Sequence, residues 1–159
     1  MGIAALIAWI VTAGGGFFLL SVWLRHGGMR QQAAGTTSFR PPLIFGHFLL
    51  AAVGLILWLV YVVTDADGLT WPTFAILVVV GLLGGTMFVR WLGVRGAATT
   101  ATTPPAGAGS AATSPAGEQP SAEEPAERGL PVPVVALHGV LAVATVILVL
   151  LTTLGVGGD

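Results

Sequence analysis

Four long apolar runs, none with an internal Asp or Glu, constrain this chain more than any other feature. A helix that crosses about 30 Å of hydrocarbon needs about 20 apolar residues, each adding about 1.5 Å. The runs at 3–24, 43–63, 72–92 and 132–154 meet that length, and Arg90 alone sits near a span end. Of the 159 residues, 55% are hydrophobic and 8% are charged. Soluble domains carry about a quarter of their residues as Asp, Glu, Lys or Arg. With so little charge a water-facing shell cannot enclose a core, so lipid must be the solvent. The sequence therefore predicts an all-α, integral membrane four-helix bundle and argues against a soluble enzyme or a disordered regulator.

The remaining composition narrows the chemistry. A formal net charge of -1 gives no pull on nucleic acid. Zero Cys removes disulfides, thiolate metal sites and cysteine nucleophiles together. No catalytic triad, phosphate loop or carboxylate pair is present, so nothing points to an enzyme. Gly14, Gly15 and Gly16 lie inside a span and cannot form a nucleotide loop. The first span lacks a basic leader and a small-x-small cleavage site, and reads as retained.

Arginine sets the expected orientation. Arg25, Arg30 and Arg40 lie between the first two spans, and Arg90 and Arg95 open the third connection. The second connection holds Asp65 and Asp67 and no basic residue. The positive-inside rule then places connections one and three in the cytoplasm and both termini outside a plasma membrane. Trp23 and Trp91 are expected at the inner interface, and Trp58, Tyr61 and Trp71 at the outer one.

The chain divides into 1–95, with three spans; 96–130, rich in Ala, Thr, Pro and Glu; and 131–159, with the last span and a short tail. The middle stretch is too polar to offset its ordering entropy and is expected to be a disordered cytoplasmic linker. Its Glu118, Glu123, Glu124 and Glu127 offer a docking surface, though tethering suits such a composition better.

The second and fourth spans resemble each other. PLIFGHFLLAAVGLILWLVY at 42–61 aligns with PVVALHGVLAVATVILVLLT at 133–152, matching Pro42 to Pro133 and His47 to His138. Gly16 with Gly84 and Trp23 with Trp91 link the first and third spans. Two related hairpins in a parallel repeat are the expected architecture. Small residues at Ala4, Ala8, Thr12 and Gly16, and at Gly81, Gly84 and Gly85, predict helix-packing surfaces.

His47 and His138 are the ionisable side chains within the spans. A polar group at that depth faces the bundle interior and needs a partner. Equivalent depth and diagonal placement would bring both rings together near the bundle centre. Ala51 and Gly54 follow His47 on its face, and Ala142 and Thr145 follow His138, leaving a slot beneath each ring. Two neutral imidazoles across such a slot suit the axial ligation of a b-type haem. Arg25, Arg30, Arg40 and Arg90 at the same face are candidate propionate partners. The other readings are a structural hydrogen-bonding role for both rings, or a proton or ligand path. His26 follows the first span and reads as interfacial. Beside a haem-binding electron-transfer bundle stand a small permease and a non-catalytic accessory subunit. The latter would meet a larger membrane complex, or a second copy, through its glycine stripes. The lack of Asp and Glu within the spans counts against a transition-metal permease.

The segments RPPLIFGHFLLAAVGLILWLVY and LPVPVVALHGVLAVATVILVLL resemble small four-span membrane proteins of actinobacteria, some of them labelled transporter-like. The resemblance covers the two His-bearing helices. It implies a plasma-membrane protein and transfers no active-site residues.

Overall fold

A computed structural model describes residues 1–101 and 124–156. Among the described residues there are five α-helices: α1 (Gly2–Arg25), α2 (Gly28–Ala33), α3 (Pro41–Thr64), α4 (Thr70–Ala101) and α5 (Val132–Thr153). Short 3-10 turns at Asp67–Leu69 and Ala126–Gly129 precede α4 and α5. Helices α1, α3, α4 and α5 are long and apolar enough to cross a membrane. Among the described residues there is no strand.

Local chemistry sets the helix ends. Pro41 and Pro42 open α3, where their missing N–H groups cost nothing. Asp65 closes it in the left-handed region at φ 53°. After α1 the chain reverses through Gly27, at φ 78°. Gly28 then lies so close to the Trp23 indole that no side chain would fit there.

Helix α1 packs most extensively on α5, and α3 on α4, with lighter contacts of α4 on α5 and α1 on α3. That order closes a four-helix ring and leaves α3 diagonal to α5. Two apolar clusters fill it. At the end carrying 26–40 and 124–131, the linker-side end, the cluster is Trp23, Phe39, Ile44, Trp91, Ala126 and Leu130. Toward the opposite end it is Ala5, Trp9, Trp58, Leu77 and Val149. Between them along the helices lies a polar layer containing Thr12, Thr145, His47 and His138. Large side chains such as Ile7, Phe17, Leu49, Leu82 and Val140 face outward, as lipid-facing positions require.

The direction in which several of these side chains point is set by packing. Trp23, Trp58 and Trp91 are buried core residues, while Trp71 is exposed. Trp58 donates its indole N–H to Gly2 O at 3.1 Å, tying α3 to the start of α1. Gly84 packs inward, whereas Gly81 and Gly85 open onto an outer groove of about 510 Å³. In α1, Ala5 is fully buried and Ala4 exposed. At about 100° per residue, chain neighbours such as Ala4 and Ala5, or Gly84 and Gly85, point to different sides of the helix.

The middle of the expected linker, 102–123, lies outside the described residues, with Glu118 and Glu123. Of its ends, α4 carries one as far as Ala101, and 124–130 fold back onto the bundle.

Gly54 and Gly81 offer a contrast in packing. A Cβ on Gly54 would meet Trp9 at 2.9 Å and Ile76 at 3.3 Å, while one on Gly81 meets nothing within 4 Å. Gly54→Ala should lower stability by about 1–3 kcal/mol, and Gly81→Ala should leave it within about 0.5 kcal/mol. Unfolding of both variants in detergent, followed by circular dichroism, measures the difference.

Candidate functional site

The polar layer is built from the helix register. His47 lies on the second turn of α3 and His138 on the second turn of α5, each following a Pro near the helix start. Both helices run the same way and face each other across the ring, so the imidazoles come to one level. Their centroids are 6.4 Å apart and their planes are inclined by 65°.

Each ring is held by a neighbouring helix, α4 for His47 and α1 for His138. His47 Nδ1 is 3.0 Å from Val80 O on α4, and His138 Nδ1 is 3.0 Å from Thr12 O on α1. A carbonyl can only accept, so Nδ1 must donate in both rings. For a neutral imidazole that leaves Nε2 with its lone pair. Two glycines make these approaches feasible. A Cβ on Gly84 would stand 3.1 Å from His47 Cε1, and one on Gly16 would stand 3.0 Å from His138 Cε1. A larger residue at either place would push the ring off its carbonyl.

Hydroxyls extend the layer. Thr12 and Thr145 are buried, with oxygens 3.3 Å apart, and each also donates to the carbonyl one turn back in its own helix. One proton per hydroxyl cannot serve all three contacts fully, so donation is shared between them. Below His47, Gly54 lies against the Trp9 indole. The small residues on the histidine faces thus receive Trp9 and Thr12 from α1.

The candidate propionate partners all lie toward the linker-side end and are exposed. Arg25 ends α1, Arg30 is in α2, Arg40 caps α3 and Arg90 is on α4. Arg90 donates to Ser38 O at 2.7 Å. His26 is exposed and bonds Val22 O through Nδ1 at 2.8 Å. It is a helix-end residue, as its position suggested. Among the described residues, no three or more His, Cys, Asp or Glu side chains come together to hold a metal ion. A metal at the imidazole pair would need its other ligands from elsewhere, and a porphyrin supplies four.

The cover over the linker-side end has no periodic signature in the sequence. Glu127 is fully buried there and accepts from Thr37 Oγ1–H, Ser38 N–H and Phe39 N–H. Gln31, 1% exposed, clamps the same segment by donating to Glu124 O and accepting from Ala126 N–H. Glu124 instead pairs with Arg128 at 3.0 Å on the surface. The one local hint was position, since Glu127 is the acid nearest the last span. Comparison of the chain with family models, with curated proteins and with solved structures finds no match.

The tautomers can be tested directly. Histidine ¹⁵N spectra of the protein should show Nδ1 protonated and Nε2 unprotonated for both buried rings. Gly84→Ala should move the His47 signals and Gly16→Ala the His138 signals. An Nε2-protonated pattern in either ring would contradict the bonds to Val80 and Thr12.

Proposed function

We propose that this protein is a multi-pass plasma-membrane bundle whose His47 and His138 are the axial ligands of a b-type haem, used for one-electron transfer. One observation carries the reading: two imidazoles at one level, 6.4 Å between centroids, each oriented by a backbone carbonyl through Nδ1. Two neutral imidazoles at one level, each with a free Nε2 lone pair, would hold an iron macrocycle through those nitrogens. A backbone carbonyl accepting from Nδ1–H is also a usual means of orienting a ligating histidine.

The two imidazole nitrogens suit the iron, whereas the macrocycle would require Trp9 and Thr12 to give up the slot beneath the rings. The haem, when bound, would supply the one-electron couple. The chain's own residues would hold and tune it. Val80 O and Thr12 O fix the rings, Gly16 and Gly84 leave room beside them, and the apolar clusters on both sides exclude water. Arg25, Arg30, Arg40 and Arg90 are the proposed partners for propionates at the linker-side face.

The repeat belongs to the same proposal. Buried Ala5, Trp9, Thr12 and Trp23 of α1 correspond at one fixed offset to buried Thr73, Leu77, Val80 and Trp91 of α4. Gly54 and Trp58 of α3 correspond likewise to Thr145 and Val149 of α5, all four buried. A duplicated hairpin would generate two equivalent histidines facing each other by its symmetry alone. The cytoplasmic placement of the linker-side end, with both termini outside, rests on the arginine distribution.

A second reading has its own support. Trp9 fills the space against Gly54, and Thr12 meets Thr145, so the slot beneath the rings is occupied by side chains. On that reading the histidines only lock the bundle, and the protein is an accessory subunit of a membrane complex.

An absorption spectrum separates the two. Protein purified in detergent from haem-replete cells should show a Soret band and a low-spin b-type spectrum, lost in both His47→Ala and His138→Ala. A colourless wild-type protein would leave the locking role alone.

A further inference from the structure

We propose that residues 37–39 form a seat for a phosphate group, filled in this state by the protein's own Glu127, and that a competing phosphate releases the 124–130 segment from the bundle. Two consecutive backbone N–H groups and a hydroxyl converge on a single oxygen, Glu127 Oε1: Thr37 Oγ1–H and Ser38 N–H at 2.5 Å, and Phe39 N–H at 3.1 Å. Phe39 N–H is shared with Thr37 Oγ1 at 3.2 Å. Such a concave group of donors selects an anionic oxygen whatever molecule carries it.

The occupant fits incompletely. Glu127 is fully buried, yet its Oε2 has no hydrogen-bond partner. Burying a charged oxygen without a partner is costly, so the docked segment holds its place at a penalty. A phosphate group would present further oxygens to the same donors, and guanidinium groups stand close by in the chain. Arg90 already binds the carbonyl of Ser38, and Arg40 follows Phe39 as the exposed cap of α3. The seat lies just before α3 begins, at the edge of the apolar span, where lipid phosphates meet a membrane protein. The shared chemistry is a phosphate group, carried by an acidic lipid or free in solution.

What the seat controls is also local. Ala126 and Leu130 of the docked segment complete the apolar cluster with Trp23, Phe39, Ile44 and Trp91. Gly129 lies against the His26 ring, where a Cβ would come within 2.7 Å. Gln31 grips the backbone of the segment from α2. Loss of the Glu127 contact removes the side-chain hydrogen bonds that the described part of the segment makes to the 37–39 loop, leaving the apolar packing of Ala126 and Leu130. The linker-side end of the bundle would then open to water and to lipid headgroups.

The experiment uses the full chain in phosphate-free maltoside micelles and reads amide hydrogen exchange. Glu127→Ala should speed exchange at Ser38 and Phe39 by at least about tenfold over wild type. Adding phosphatidylglycerol to the micelles should reverse that change if the source is lipid. Inorganic phosphate, against chloride at equal ionic strength, should reverse it if the source is soluble. In the wild type, the effective addition should speed exchange at Ala126 and Leu130. Should Glu127→Ala yield no folded protein, Glu127→Gln, which keeps the shape and an acceptor oxygen, takes the same additions with a smaller opening and the same reversal. Exchange at 38 and 39 that neither addition slows, or that Glu127→Ala leaves at the wild-type rate, overturns the proposal.

Discussion

A polar group inside a lipid-spanning bundle has no water to turn to, and the central layer of this protein is organised by that fact. Each imidazole finds its partner in a main-chain carbonyl of the adjacent helix, not in another side chain. Helical carbonyls already accept from their own helix, so this second bond uses a spare lone pair and leaves the helix intact. It also fixes where α3 can sit on α4 and α5 on α1, because only a glycine opposite allows the ring so near. The apolar clusters at either end then pack around a register that the polar layer has set.

The transmembrane architecture was legible because lipid imposes a length and a polarity that few sequences meet by accident. The boundaries of the first, second and fourth spans agree with the observed helices within two residues. The paired histidines were legible from one alignment, since a ring at the same place in two similar helices has few geometric options. What composition could not reveal was direction around each helix. Trp23, Trp58 and Trp91, expected near span ends, turn their rings into the bundle, a direction that composition does not carry. Gly84 faces a ring while Gly85, its neighbour, faces outward.

Glu127 was illegible for a different reason. Its partners at 37–39 are about 90 positions away in sequence, and a polar, proline-rich stretch gives no periodic sign of docking. The same holds for Gln31, which looks like an exposed residue of a short connection and is a buried clamp. Buried polar side chains joined over long separations escape pattern-based reading, because nothing near them in the chain anticipates the fit.

Helix α1 packs mainly on α5, which follows it in the chain after α3 and α4. During synthesis, α1, α3 and α4 emerge and can associate before α5 exists, with Thr12 and Gly16 presenting a bare polar notch. When α5 arrives, His138 and Thr145 enter hydrocarbon as costly passengers and are relieved by groups already in place. The ring can close only once α5 has been made, because the groups that relieve His138 and Thr145 lie on α1.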